Sequence, residues 1–137
     1  MSKASEIIDK MFLNDPFSQW LGVERIEEEP GSVVLQLIVK EEMLNGFGIA
    51  HGGITYSLAD SALAFSANGH GIQSVSIETS ISHTKAVKLG DVLRTKVTEE
   101  NLTKKIGIYS ISILNQENEK VALFKGTVFR TGKEWEI

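Results

Sequence analysis

The chain has 137 residues, 42% of them hydrophobic and 23% charged, which suits one domain over residues 1–137 with a real core and something to gain from association. A formal net charge of -4 with acids and bases interspersed argues against a nucleic-acid surface, and no apolar run suggests a membrane span or signal-peptide core. With no cysteine there is no disulfide frame, thiolate metal site or cysteine nucleophile, and the expected location is cytoplasmic.

Residues 3–14 carry Ile7, Ile8, Met11 and Phe12 at helical spacing. Asn14-Asp15-Pro16 ends that helix and opens a short second one over residues 16–21, where Phe17 and Trp20 read as packing residues. Residues 23–28 and 33–39 read as a strand hairpin turning at residues 29–32, with the acidic run Glu27-Glu28-Glu29 at a solvated strand end.

Residues 43–77 stand apart. A stretch this long would ordinarily hold about eight charged residues, yet Asp60 is the one Asp, Glu, Lys or Arg in it. From Gly52 to Ala67 the pattern is helical, with Gly69 as a stop, and small or apolar residues on nearly every side predict a helix wrapped by a sheet or held between subunits. An ionised Asp60 inside it loses solvation unless donors surround it. Upstream, Asn45, His51 and the amides of Gly52 and Gly53 sit at the helix start, where free N–H groups suit an anion or a polarised carbonyl oxygen. His51 and Asp60 are separated by about half a turn and roughly 13 Å along the axis. If both ends act on one carbonyl group, the site is most simply built across a two-fold axis, with the helix start of one subunit facing Asp60 of the next.

After the helix, residues 74–84 alternate, which places Val75, Ile77, Thr79 and Ile81 on one face, packed on the helix, and Ser74, Ser76, Glu78, Ser80 and Ser82 on the other. His83 then falls at an inward position, while His70, between glycines, reads as loop. Residues 91–101, 104–114 and 120–130 give three more strands. The fold class is α+β, one long helix on an antiparallel sheet of about six strands, with short N-terminal helices. Three scattered histidines make no credible metal-ligand cluster, and His51-Gly52-Gly53 lacks both the P-loop lysine and the dinucleotide spacing.

The runs Met43-Leu44-Asn45-Gly46, His51-Gly52-Gly53 and Ser57-Leu58-Ala59-Asp60 together resemble the hotdog-fold acyl-CoA thioesterases of the phenylacetic-acid-degradation (PaaI-type) family. The likeness extends through Lys88-Leu89-Gly90-Asp91 and Val121-Ala122-Leu123-Phe124-Lys125-Gly126. It implies a hotdog fold whose sheet wraps the helix, a homo-oligomer (dimer or tetramer) with sites between subunits, and hydrolysis of aryl-acetyl-CoA with no separate cofactor. The implied roles are Gly52 N–H and Asn45 on the thioester carbonyl, His51 near the leaving thiolate, and Asp60 of the adjoining subunit as base or nucleophile. Ser76 matches a serine that helps hold the water, although alternation turns it away from the helix. Where relatives carry an aromatic and then a proline, this chain has Ser82-His83-Thr84-Lys85-Ala86-Val87, which bears on the acyl pocket. CoA phosphates call for cations near the pocket mouth, and Lys85, Lys88, Arg94, Lys104, Lys105, Lys125 and Arg130 are available.

Two other activities suit the fold. A non-catalytic acyl-CoA sensor need not keep Asp60 and would normally carry a basic DNA-binding appendage. A hotdog hydratase or dehydratase would set a histidine and a carboxylate on one substrate carbon, which the His51–Asp60 offset does not supply within one helix.

Overall fold

A computed structural model describes residues 2–137. Helix α1 (Lys3–Leu13) begins where the Ser2 hydroxyl accepts the Ser5 amide, and it buries Ile7 and Ile8. Helix α2 (Pro16–Leu21) is capped by Asp15, with Pro16 in its first turn, and ends on Gly22 in the left-handed region at φ 84°. Strands β1 (Glu24–Glu29) and β2 (Ser32–Ile38) form the expected hairpin. Arg25 ties it to α1 by reaching Asp9 at 2.6 Å and Glu28 at 2.7 Å.

A 3-10 turn (Glu41–Met43) leads to the central helix α3 (Gly52–Asn68). Strands β3 (Ile72–His83), β4 (Val92–Leu102), β5 (Ile106–Leu114) and β6 (Lys120–Glu134) follow. The six strands make one sheet in the order β1-β2-β4-β5-β6-β3, antiparallel throughout, so β1 and β3 are its edges. Helix α3 lies on one face of this sheet and touches β2, β3, β4, β5 and β6. Leu58, Ala59, Ala62, Leu63 and Phe65 meet Val33, Leu35 and Leu37 of β2 and Tyr109, Ile111 and Ile113 of β5 in one continuous core. Where Leu63 seats, β6 carries Gly126: a Cβ there would lie 2.6 Å from Leu63 Cδ2, so the glycine makes room for the helix.

Two features fix how α3 hands over to β3. Asn68 donates to the carbonyls of Ala64 and Ser74 and accepts from the Ser74 amide and from Trp135 Nε1. Gly71 then turns the chain at φ 101°. The aromatic pair expected to be packing is on the surface instead: Phe17 is 51% exposed and Trp20 73%, their rings tilted together 5.9 Å apart. A six-residue helix held by Pro16 and Gly22 is too short to turn both aromatics inward along with Leu21. No helix of the described residues is long and apolar enough to cross a membrane.

Candidate active site

The helix start is built from residues 44–53. Leu44 bridges Ala50, the Asn45 amide donates to the Ile49 carbonyl at 2.7 Å, and Gly48 sits at φ 76°. Within this tight loop Asn45 Oδ1 accepts the amides of Phe47 (2.9 Å) and Ile49 (3.4 Å). Its oxygen is thereby used, and its NH₂ is left as a donor at the wall of a cleft of about 420 Å³. His51 caps α3 by accepting the Gly53 amide on Nδ1 at 2.9 Å, which puts the ring proton on Nε2. Among the described residues the Gly52 N–H has no acceptor, and Gly52 lines the same cleft as Asn45.

Thr55 and His83 complete this wall. The Thr55 hydroxyl donates to the Gly52 carbonyl at 3.0 Å and lies 2.7 Å from His83 Nε2. Its single proton is committed to that carbonyl, so His83 Nε2–H donates to Thr55 Oγ1. A Cβ at residue 52 would come within 3.1 Å of His83 Cε1, so the imidazole can approach the helix start only against glycine. His83 therefore lines the cleft, and Lys85 and Val87 extend that wall.

Asp60 lies elsewhere. It is half-buried on α3, and it makes no hydrogen bond or ion pair among the described residues, so no donor caps it. Burial raises its pKa above the ordinary aspartate value. Its cavity, about 310 Å³, is lined also by Met11, Leu63, Ala64, Asn68, Ser74, Val75, Ser76 and Val128.

Ser76 reaches this cavity because β3 is not regular. Val75 pairs with Phe129 and Ser76 with Val128, but the next pair is Glu78 with Thr127, leaving Ile77 as an extra, bulged residue. One inserted residue reverses the side-chain phase. Thr79 and Ile81 face α3 as expected, with Thr79 bonded to Tyr56, whereas before the bulge it is Ser76, paired with buried Val128, that faces it. Val75 and Ile77, expected on the helix, are instead 56% and 58% exposed.

The chain thus brings Asn45 together with Gly52, and Asp60 together with Ser76, in two cavities that share no lining residue. His51 lines neither, standing exposed at the cap between Gly52 and the loop. Sequence reading missed Thr55 and Met11. Thr55, three residues after Gly52, shares its helix face, a signal available from spacing alone; Met11 comes from α1 with no local signal.

Residues 47–122 match the family model of the thioesterase superfamily. The chain is 35% identical to acyl-coenzyme A thioesterase PaaI of Escherichia coli K12, over 95% of this chain and 93% of that protein. The solved E. coli PaaI protein from the phenylacetic acid degradation operon superposes with a TM-score of 0.93 at 34% identity, covering 96% of each chain. A hypothetical thioesterase protein of Streptococcus pneumoniae TIGR4 solved with coenzyme A superposes with a TM-score of 0.78 at 31% identity, covering 82% of this chain and 91% of that one. The six-stranded sheet, the helix on it and these likenesses agree: the chain belongs to the thioesterase superfamily, as a hotdog acyl-CoA thioesterase of the PaaI type.

Proposed function

We propose that the protein hydrolyses aryl-acetyl-CoA thioesters at sites made by two protomers of a dimer or a dimer of dimers. The observation that carries this reading is the pair of complementary half-sites: an unpartnered Gly52 N–H beside the Asn45 NH₂ in one cavity, and an unpartnered, half-buried Asp60 beside Ser76 in another. Each lacks what the other holds. Joined across a two-fold axis, they surround one carbonyl group with donors on its oxygen and a carboxylate near its carbon.

In that arrangement the thioester oxygen accepts from Gly52 N–H and Asn45 Nδ2, which stabilise the charge that grows on it as the tetrahedral centre forms. Asp60 takes a proton from a water that Ser76 helps to hold, or attacks the carbonyl carbon itself. Collapse breaks the C–S bond, and the departing thiolate, met by a hydrogen bond from the Nε2–H of His51, takes the proton that Asp60 drew from the water. On the nucleophilic route a water then opens the acyl–Asp60 anhydride and supplies that proton. These steps call for no cofactor. The aryl-acetyl preference draws on the likeness to the protein of the phenylacetic acid degradation operon, and the CoA portion on the likeness to the coenzyme A complex.

The test is release of free CoA thiol from a panel of aryl and straight-chain acyl-CoAs by the wild type and Asp60→Asn. Turnover by the wild type, best on aryl-acetyl thioesters and largely lost in the variant, is the expected result. Binding of acyl-CoA without turnover by either protein would replace the enzyme with a sensor.

A further inference from the structure

His51 and His83 flank one peptide group. The two glycines that open α3 make room for them: a Cβ at residue 52 would lie 3.1 Å from His83 Cε1, and one at residue 53 would lie 3.1 Å from His51 Nδ1. Between the two rings runs an unbroken line of hydrogen bonds with every donor aimed the same way. His83 Nε2–H donates to Thr55 Oγ1 at 2.7 Å, and the Thr55 hydroxyl donates to the Gly52 carbonyl at 3.0 Å. That carbonyl shares a peptide group with the Gly53 N–H, which donates to His51 Nδ1 at 2.9 Å. A group that accepts a hydrogen bond at one end becomes a stronger donor at the other, so each bond strengthens the next. The line ends on His51 Nε2–H.

We propose that His83 is a positioning residue for the thioester reaction. Through Thr55 and the Gly52–Gly53 peptide it fixes the His51 ring and strengthens its Nε2–H, the donor that meets the departing thiolate. This role rests on the thioesterase reading, in which His51 faces the leaving sulfur, and adds to it a residue that touches no reacting atom. Proton counting leaves one direction for the line. The Thr55 hydroxyl has a single proton and the Gly52 carbonyl takes it, so the bond between ring and hydroxyl starts at His83. His51 receives an amide at Nδ1, so its own proton is on Nε2. Thr55, in the middle of the line, is buried, and out of water each bond acts more strongly on its neighbour. His51 stands exposed at the helix cap, where the Gly53 amide is the bond that holds its ring. A side chain at residue 83 without an N–H would start the line at Thr55 and weaken that hold.

The experiment measures kcat and KM for two thioesters of one acyl group, phenylacetyl-CoA and the phenylacetyl thioester of para-nitrothiophenol, in the wild type, His83→Phe and His83→Gln. The alkyl thiolate of CoA gains from a donor as it leaves, whereas the nitro-substituted aryl thiolate is a weak base and leaves unaided. His83→Phe keeps a flat ring and loses the N–H. Its kcat on phenylacetyl-CoA should fall about fivefold, the factor that the net strength of one hydrogen bond gives in a rate, with kcat on the aryl thioester unmoved. Glutamine carries an amide N–H at nearly the place of Nε2, so His83→Gln should restore the wild-type kcat. His83 is exposed, so neither substitution disturbs the core. Nitrogen NMR of the His51 ring gives a reading apart from turnover: the Nδ1 resonance should move toward that of an unbonded ring nitrogen in His83→Phe and hold its place in His83→Gln. Equal losses on both thioesters, or no loss, with an unmoved His51 resonance overturns the positioning role and leaves the thioesterase standing. A wild type that cleaves neither thioester overturns both.

Discussion

Asp60 is a carboxylate kept half-buried with no donor among the described residues to steady its charge, and folding alone gains nothing from that. The sign of the effect can be worked through. Burial raises the folded-state pKa, so below the unfolded aspartate pKa both states are neutral and no cost arises. As pH rises, the ionised form is disfavoured in the folded protein, and the cost is complete above the folded pKa. Asp60→Asn should therefore be at least as stable as the wild type at neutral pH in urea denaturation, while losing about 10²–10⁴-fold in kcat. The acid limb of the wild-type rate profile should lie above the ordinary aspartate pKa, because the working form is the ionised one. At the other half-site, Asn45→Asp keeps the oxygen that accepts the Phe47 and Ile49 amides but removes the NH₂ donor. A loss of about 10²–10³-fold in kcat is expected, with the loop intact by circular dichroism and melting. Asp60 and Gly52 were legible in the sequence because a charge-poor window made the one acid conspicuous and paired glycines marked the helix start. Ser76 was legible only through family likeness, since its inward direction depends on the bulge at Ile77, and a bulge leaves no mark in an alternating pattern.

Among the elements, the helices were read almost to the residue, since Pro16, Gly22, Gly52 and Gly69 punctuate them. Strands were placed but their ends drifted. β6 runs on to Glu134 rather than stopping near residue 130, because pairing with β3, and not propensity, carries it there. The 3-10 turn at Glu41–Met43 has no periodicity to betray it. The contact between α3 and the sheet gives a sharper test. Gly126→Ala would drive a methyl group against buried Leu63, and overpacking of this kind costs about 1–3 kcal/mol, measurable as a lowered urea midpoint. Thr55→Val removes the acceptor for His83 Nε2–H beside Gly52 and should cost about 1–2 kcal/mol, with a rise in KM if the ring leaves the cleft wall.

For the whole molecule, the fold class followed from one charge-poor helix set between a strand hairpin and four further strands, whereas the separation of the two half-sites needed both periodicity and geometry. Helix arithmetic set the helix start and Asp60 roughly 12–13 Å apart along one axis, and the structure holds Gly52 and Asp60 in different cavities. Under the proposed two-fold arrangement, the β3 edge, with Val75 and Ile77 exposed beside unpaired backbone, would be the surface on which a second copy completes the site. The direct test is complementation. Asp60→Asn and Asn45→Asp, each inactive alone, are co-expressed with different tags and the mixed oligomers are purified. If sites are shared, a mixed dimer carries one site with both residues intact and one with neither, so its specific activity should recover to about half that of the wild type. Mixed oligomers that form yet show no more activity than either parent would place Asn45 and Asp60 in the same protomer's site and contradict the account.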